Sequence, residues 1–371
     1  MKIGVLHFFQ NFRDSHDDAD VMVRSLKLAD LYEPAGFDFC LIPEHHFDGY
    51  MMTPAPFDFL SYMAGRTKRM LLGPGAIIVP WNDPYRAAAH LIALDHLSNG
   101  RAIIGLGRGL AKVEMDHFGI DMNDTRPMYD EGARKILEAV RTGSFPGGGR
   151  FYGQQNRSPM RPRPLTTDWD DRTFCIGMSP PSALEAGRLG GRLMAMPLGS
   201  WESFRENNFH PYREAFRETT GREPGPMVLG IPTVVHSDRE RAHELSSQYF
   251  ANYFDSVQDF YKLRGDHLEG VKGYEAYADL ARQGAQVDYE IMRQAAADAS
   301  IHGTPADVIE KLRELRAILG HPFDLCAQID GGNMPAEIVE DSIRLISSEV
   351  LPVVHRWNDE FELEDAVALS A

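Results

Sequence analysis

The chain has little cysteine. Three cysteines occur in 371 residues, and each of them, Cys40, Cys175 and Cys326, lies inside an apolar run. Three scattered cysteines form neither the paired framework of a small secreted protein nor a zinc site of typical spacing. We therefore expect all three to be buried as small hydrophobic residues, and we expect no metal site.

Long apolar runs and positive charge are also scarce. No uninterrupted run reaches the roughly 18 residues that a membrane-spanning helix needs, and residues 1–6 are typical of a first strand rather than of a signal peptide. The formal net charge is −16, with 38 Lys and Arg against 54 Asp and Glu. Nonspecific binding to nucleic acid needs a basic face and is excluded by this balance. We expect a cytoplasmic protein without a membrane or nucleic-acid partner.

Short apolar runs alternate with longer stretches of helical spacing, which is typical of a parallel sheet with crossover helices. Eight such runs predict strands, at residues 2–8, 37–43, 70–79, 102–106, 173–178, 192–197, 227–235 and 324–329. Eight strand–helix units in this length favour an α/β fold of the closed (β/α)8 TIM-barrel type over an open doubly wound sheet.

Three stretches depart from this alternation. Residues 143–169 are rich in glycine and proline, which predicts an irregular excursion with a small hairpin. Residues 237–300, before the last strand, are too long for one crossover helix. We expect an insertion there, with extra helices and a mobile segment, 269–297, over the barrel mouth. Residues 357–371 form an acidic carboxyl-terminal tail, and residues 1–356 are expected to form a single domain.

Charged and imidazole side chains follow directly after the second predicted strand. Glu44, His45 and His46 stand at its carboxyl end, where parallel α/β folds place their chemistry. Imidazole can exchange a proton near neutral pH or donate a hydrogen bond to a reactive oxygen. Successive side chains of an extended segment point to opposite sides, so at most one histidine faces the mouth directly. Active-site, structural and metal-binding roles stay open, although no third ligand at suitable spacing supports a metal.

Two arginines and two serines are candidates for binding an anion. Arg108 stands among glycines after the fourth predicted strand, where its paired donors could hold a phosphate. Arg126 precedes Pro127 near the start of one helix, and Ser179 and Ser182 lie at the opening of another. Helix amino termini favour anions. The alternatives are two solvent-facing arginines and a serine that only caps its helix.

The sequence resembles the luciferase-like flavin monooxygenases, and among them the alpha chain of bacterial luciferase. The resemblance covers residues 1–356 and rests on several segments together. These segments are Glu44–Phe47, Gly73–Pro80, Asp95–Arg101, Gly105–Leu110, Phe118–Met122, Arg126 with Met128, Gly303–Pro305 and Ser348–Pro352. The resemblance implies a (β/α)8 barrel that binds reduced FMN (FMNH2), with the phosphate at the carboxyl ends of strands four and five.

The resemblance also implies roles for individual residues. Those implied to bind the cofactor are Arg108, Leu110, Glu114, Arg126, Ser179, Ser182, Gly75 and Ala76. The two arginines would bind the phosphate with help from the serines, and the leucine would line the flavin. The glutamate would lie near the pyrimidine edge, and the Gly–Ala pair would match an often cis peptide in front of the ring. His45 would be the catalytic base, with His46 beside it.

The chain departs from the family pattern at three places. Met178 stands where the family has a phosphate-site glutamate, and Gly107 stands where it has a reactive cysteine near the flavin. Residues 283–298 stand where the family has a mobile loop, and their charge pattern differs from that of the loop. We therefore expect the flavin chemistry, and we make no prediction of light emission.

The function implied by the resemblance is that of a two-component monooxygenase. A separate flavin reductase would supply reduced FMN, and O2 would react with it to give a C4a-hydroperoxide that oxygenates a small apolar carbonyl or aromatic substrate. One alternative keeps the barrel but uses a deazaflavin (F420) for hydride transfer. Another is a non-catalytic flavin-binding partner subunit. By analogy with the family we expect a homodimer.

Overall fold

The computed structural model describes residues 1–153, 156–196 and 199–357, in which strands and helices alternate. The strands are β1 (Ile3–Leu6), β2 (Phe39–Ile42), β3 (Leu71–Pro74), β4 (Ile77–Ile78), β5 (Ile104–Gly107), β6 (Ser144–Phe145), β7 (Ser158–Pro159), β8 (Thr173–Ile176), β9 (Arg192–Ala195), β10 (Met227–Val235), β11 (Ile301–Gly303) and β12 (Phe323–Gln328). The α-helices are α1 (Asp18–Ala35), α2 (Pro56–Arg66), α3 (Pro84–Leu97), α4 (Lys112–His117), α5 (Thr125–Thr142), α6 (Pro180–Arg188), α7 (Trp201–Phe204), α8 (His210–Thr220), α9 (Arg239–Leu245), α10 (Ala251–Tyr261), α11 (Glu275–Gly284), α12 (Tyr289–Asp298), α13 (Pro305–Leu319), α14 (Ala336–Leu345) and α15 (Leu351–Val354).

Parallel pairing joins the main strands into a barrel. Their order is β3–β2–β1–β12–β10–β9–β8–β5–β4. β3 and β4 share one position in the ring and are separated at Gly75 and Ala76, whose peptide bond is cis. The ring closes where Leu72 of β3 bridges to Ala102 and where β4 pairs with β5. The predicted (β/α)8 TIM barrel is confirmed.

The strands are buried on both faces because they lie between the barrel interior and the surrounding helices. Side chains of β2 alternate accordingly. Phe39 and Leu41 belong to the cluster that fills the barrel interior, whereas Cys40 and Ile42 pack with the larger core under the helices. All three cysteines are buried and unpaired, as predicted.

The predicted strands, hairpin and insertion can be compared with those of the structure. All eight predicted strands are present, although Pro197, the predicted end of the sixth, lies outside the described residues. The hairpin predicted within residues 143–169 is the antiparallel pair β6–β7. The short strand β11 was not predicted, and it pairs with the end of β10. The insertion therefore lies between β10 and β11 rather than directly before the last strand.

The insertion contains the four helices α9 to α12. The segment predicted to be mobile, residues 269–297, contains α11 and most of α12, and its mobility stays a prediction. In the acidic tail, residues 358–371 lie outside the described part of the chain. Over the described residues, no helix is long and apolar enough to cross a membrane.

Candidate active site

The predicted site residues gather at the carboxyl end of the barrel. Glu44, His45 and His46 follow β2, Arg108 follows β5, and Ser179 follows β8. The remaining charged candidates lie on the helices that come next, Glu114 on α4 and Arg126 on α5. The structure arranges these side chains in two hydrogen-bonded groups, one around the histidines and one around the arginines.

Glu44 connects the loop after β2 to the end of β4 by hydrogen bonds. Its carboxylate is buried and accepts hydrogen bonds from the Ile78 amide (3.0 Å), the Trp81 indole (2.9 Å) and the Asn82 amide (2.9 Å). Nε2 of His46 lies 3.4 Å from the same carboxylate. Four contacts to one carboxylate hold the histidine-bearing loop in a single position.

Glu114 is the partner of both histidines. Its side chain is 1% exposed. Its Oε1 atom accepts from the His46 backbone N–H at 2.8 Å and lies 3.3 Å from His45 Nδ1. Its Oε2 atom is buried without a hydrogen-bond partner among the described residues. A buried carboxylate oxygen without a donor is costly, so this position suits a ligand that supplies an N–H or O–H.

His45 is held at both ring nitrogens. Its Nδ1 faces Glu114, and its Nε2 lies 3.2 Å from the hydroxyl of Tyr261. A carboxylate only accepts, so Nδ1 carries the proton and Nε2 accepts from the tyrosine. The rings of Tyr50 and Phe260 meet the imidazole edge-on at 5.0 and 5.3 Å. Burial, reinforced by the charge of Glu114, raises the pKa of Tyr261, so the phenol stays protonated at neutral pH.

Arg108 is buried, contrary to the solvent-facing alternative. Its side chain leaves the end of β5, and Nη2 donates to the Gly273 carbonyl at 2.7 Å. The guanidinium lies 3.8 Å from the ring centroid of Tyr274. Burial first, and the charge of Arg126 further, lower the pKa of Arg108. Its Nη1 atom is buried without a partner among the described residues and is therefore available to an anion.

Arg126 and the two serines form one hydrogen-bonded chain. Nη2 of Arg126 donates to Ser182 Oγ at 2.9 Å, and Ser179 Oγ donates to the same oxygen at 3.0 Å. Ser179 is the residue before α6, yet its side chain makes no capping hydrogen bond to that helix. The capping alternative is therefore wrong, and the hydroxyls point instead towards the arginine side of the site.

The remaining candidates surround these groups. Ala76 is buried at the end of the interrupted strand. A side chain at Gly75 would come within 2.8 Å of Leu41 Cβ, so the close packing there requires glycine. Leu110 packs on the cluster that contains Met115 and Tyr274.

Two cavities adjoin the two groups. One, of about 590 Å3, is lined by both histidines, by apolar side chains that include Tyr50 and Met51, and by charged side chains that include Arg13 and Asp259. The other, of about 200 Å3, is lined by Met178, Ser179 and Tyr277, among others. A ligand space therefore exists next to the imidazoles and next to the serines.

Sequence reasoning missed Tyr261 and Tyr274. Both belong to the insertion. Tyr261 contacts His45 and Tyr274 contacts Arg108, each from more than 160 positions away in the chain. The local pattern around them carries no signal of this contact beyond the general richness of the insertion in aromatic residues.

Comparison with known proteins gives a consistent assignment. The profile of the luciferase-like monooxygenase family matches residues 1–321. An alkanal monooxygenase alpha chain from Photorhabdus laumondii is 36% identical over 348 residues, covering 90% of this chain and 92% of that protein. Among solved structures, the oxygenating constituent of 3,6-diketocamphane monooxygenase from Pseudomonas putida, in complex with FMN, has a TM-score of 0.72 at 19% identity, covering 95% and 98% of the two chains.

A coenzyme F420-dependent tetrahydromethanopterin reductase from Methanopyrus kandleri shares the fold at a TM-score of 0.62 and 20% identity, covering 88% of this chain and 95% of that one. These structural likenesses establish the fold, while the family profile and the alkanal monooxygenase establish the family. The resemblance found in the sequence is thus confirmed: the chain belongs to the luciferase-like monooxygenase family and is an oxidoreductase.

Proposed function

We propose that this protein is the oxygenating component of a two-component monooxygenase that uses reduced FMN and O2. One observation carries the proposal: a donor on Arg108 and an acceptor on Glu114 are buried without hydrogen-bond partners in the described part of the chain, and they belong to neighbouring elements at the barrel mouth. FMN offers the complementary groups, because its phosphate accepts hydrogen bonds and its ring imide N–H donates one. The residues present therefore fit this cofactor.

In this proposal each group has a distinct task. Arg108 and Arg126, with the serine pair attached to Arg126, bind the phosphate. Glu114 receives the ring imide through its free oxygen. When bound, reduced FMN supplies the electrons that allow one atom of O2 to enter the substrate. His45 accepts or returns a proton at Nε2, while the surrounding aromatic rings keep water away from the reacting groups.

The substrate class is proposed from the family resemblance, and the cavity beside His45 offers room for it. A volume of about 590 Å3 lies within the range of small-molecule sites, and its wall combines apolar side chains such as Met51 and Met52 with charged ones such as Asp14 and Asp259. We assign the apolar part of this cavity to a small apolar carbonyl or aromatic compound. The Pseudomonas structure is named as an oxygenating constituent, which supports a separate flavin reductase as partner here. A homodimer remains part of the proposal by analogy with the family.

An anaerobic titration tests the cofactor. Reduced FMN, reduced riboflavin and reduced F420 are each added to the full-length protein, and binding is followed by quenching of the protein's tryptophan fluorescence. We expect reduced FMN to bind most tightly. Admitting air in the presence of a panel of aldehydes, ketones and phenols should then consume O2 and yield an oxygenated product.

Three results would contradict the proposal in different ways. Preferential binding of F420 without O2 consumption would indicate hydride transfer by a deazaflavin enzyme. Tight binding of FMN without any oxygenated product across the panel would indicate a non-catalytic partner subunit. Absence of flavin binding would remove the cofactor assignment altogether.

A further inference from the structure

We propose that Tyr261 is a proton-relay residue that connects His45 to the barrel interior, so that Glu114, His45 and Tyr261 act as one unit. This inference rests on the proposed function for its chemistry. It rests on the arrangement of the three side chains for its geometry, which can be tested without any flavin.

The first step of the argument is the enclosure of His45. Its side chain is 13% exposed. Glu114 occupies Nδ1 and the Tyr261 hydroxyl occupies Nε2, while Tyr50 and Phe260 pack against the ring. Nε2 is the basic atom of this tautomer, and the phenol stands directly in front of it. A proton that reaches Nε2 from that side therefore passes through the Tyr261 oxygen.

The second step is the position of Tyr261 itself. It is the last residue of α10, and its ring packs on the apolar cluster that fills the barrel. That cluster includes Phe39 of β2, Phe174 of β8 and Met194 of β9, which face the barrel axis. The phenol thus lies where the barrel interior meets the imidazole. The insertion, not the barrel strands, supplies this side chain.

The third step is the side of the unit that faces away from the barrel interior. His45 and Tyr50 both line the open cavity of about 590 Å3, and the ring of Tyr50 meets that of Tyr261 edge-on at 5.5 Å. His45 therefore links the barrel interior, through Tyr261, to a cavity that water reaches.

The transfer balances without any further reagent. The Tyr261 Oη–H bond breaks as an Nε2–H bond forms on His45, and Oη takes the proton that leaves the reacting group in the barrel. Glu114 stabilises the imidazolium through Nδ1–H, as the carboxylate does in other carboxylate–imidazole–hydroxyl units. The imidazolium then holds the extra proton, and the reverse sequence returns a proton to the reacting group.

Nitrogen NMR of the apo protein tests the geometry. The full chain is labelled with 15N-histidine, and the His45 signals are assigned with the variant His45→Gln. We expect an Nδ1–H tautomer whose Nε2 signal shows a hydrogen-bonded acceptor, and a shift of that signal towards the free-imidazole value in Tyr261→Phe. The control is Tyr289→Phe, which removes another phenol hydrogen bond of the insertion, to Asp255 (2.8 Å), and should leave the His45 signals unchanged. Identical His45 spectra in wild type and Tyr261→Phe would overturn the proposal.

Stopped-flow kinetics test the relay as a unit. The probe is reduced FMN mixed with O2, which gives oxidised FMN and H2O2 when no organic substrate is present. We expect Tyr261→Phe to slow flavin reoxidation about 100-fold, the lower end of typical acid–base contributions. The double variant His45→Gln/Tyr261→Phe should be no slower than His45→Gln alone, because residues that act together are not additive.

The relay would be overturned if the two substitutions slowed flavin reoxidation independently, so that their effects multiplied in the double variant. It would also be overturned if Tyr261→Phe reoxidised flavin at the wild-type rate. Failure of the wild type to bind or reoxidise reduced FMN would instead refute the proposed function. The NMR comparison would still decide whether Tyr261 holds His45 in that event. The two failures are therefore distinguishable.

Discussion

The guanidinium of Arg108 stacks on the ring of Tyr274, with 3.8 Å between the guanidinium carbon and the ring centroid. The tyrosine is fully buried, and its hydroxyl donates to the Gly109 carbonyl at 2.8 Å and lies 3.1 Å from Thr125 Oγ1. Residues 268–274, which we call the strap, are thereby fixed over the end of β5. The insertion thus sets the direction in which the Arg108 side chain points.

Replacing Tyr274 should weaken binding of reduced FMN through Arg108. Tyr274→Leu loses the cation–π contact, worth about 0.5–2 kcal/mol, and hydrogen bonds worth about 0.5–1.5 kcal/mol each. We expect the Kd of this variant for reduced FMN to rise about 10- to 100-fold, at about 1.4 kcal/mol per tenfold change. Tyr274→Phe keeps the ring, and its affinity for reduced FMN should fall about fivefold or less. Anaerobic fluorescence titration measures both, and equal losses in the two variants would argue against the stacking contribution.

Removing the guanidinium of Arg126 should discriminate between flavins with and without a phosphate. Arg126→Gln keeps a polar side chain beside Ser182 but loses the charge. We expect reduced FMN to bind about 10- to 100-fold more weakly, since charge-assisted hydrogen bonds contribute about 1.5–3 kcal/mol, while riboflavin affinity changes about twofold or less. The matched control is Arg134→Gln on the same helix, because Arg134 pairs with Glu185 rather than with the serines. Equal weakening for both flavins would show that Arg126 does not contact the phosphate.

The barrel was predictable because its strands are buried on both faces, and such strands read as short apolar runs between turn residues. The cluster at residues 44–46 and Arg108 were predictable for a related reason, since parallel strands present their carboxyl ends at one mouth. Strand β11 was not predicted, because three residues are too few to show an alternation of apolar and polar residues. The boundaries of the insertion depended on that strand.

The hydrogen-bond partners inside the site were not predictable from local patterns. Glu114 lies on α4, the first helix after β5, yet it contacts two histidines that follow β2. Tyr261 and Tyr274 approach from the insertion, whose helices have no counterpart in the strand–helix alternation. Which side chains meet there depends on how α10 and the strap pack on the barrel, and a single sequence does not encode that packing in any short-range signal.

A buried acid that follows β12, at the same carboxyl end of the barrel, should make stability depend on pH. Asp330 Oδ2 lies 3.5 Å from Nδ1 of His7, and both side chains are fully buried. Burial raises the pKa of Asp330 to about 7, although Arg24 opposes the change, and burial lowers the pKa of His7 to about 3. Both groups are thus driven towards their neutral forms, so this contact is a neutral pair rather than an ion pair.

The sign follows from linkage. An unfolded Asp330 loses its proton near its ordinary pKa of 3.8, whereas the folded one keeps it until about 7. Between these values the folded state holds the extra proton, so this residue makes the free energy of unfolding fall as pH rises, by at most about 1.4 kcal/mol per pH unit. The lowered pKa of His7 acts in the opposite direction between about 3 and 6.5.

Replacing Asp330 isolates its contribution. We expect Asp330→Asn to gain stability relative to wild type as pH rises from 5 to 7.5, because the contribution of His7 remains in both proteins. Urea unfolding at the two pH values measures the difference between the variants. A difference that stays constant across this range would contradict the raised pKa.

Hydrogen exchange should show whether the strap closes over the phosphate. Without ligand, its attachments to the barrel include the stacked tyrosine, the buried side chain of Leu268 and a hydrogen bond from the Lys272 amide to Asn123 Oδ1 (3.1 Å). An anion on the free Nη1 of Arg108 would fix the arginine and, through it, the Gly273 carbonyl. We expect FMN to slow exchange in residues 268–284, and riboflavin to do so much less, with α13 as an internal control that neither flavin changes. Mass-spectrometric exchange measures this peptide by peptide. Equal protection by FMN and riboflavin would mean that the ring, not the phosphate, orders the strap. Unchanged exchange with both would mean that flavin binding does not order this segment.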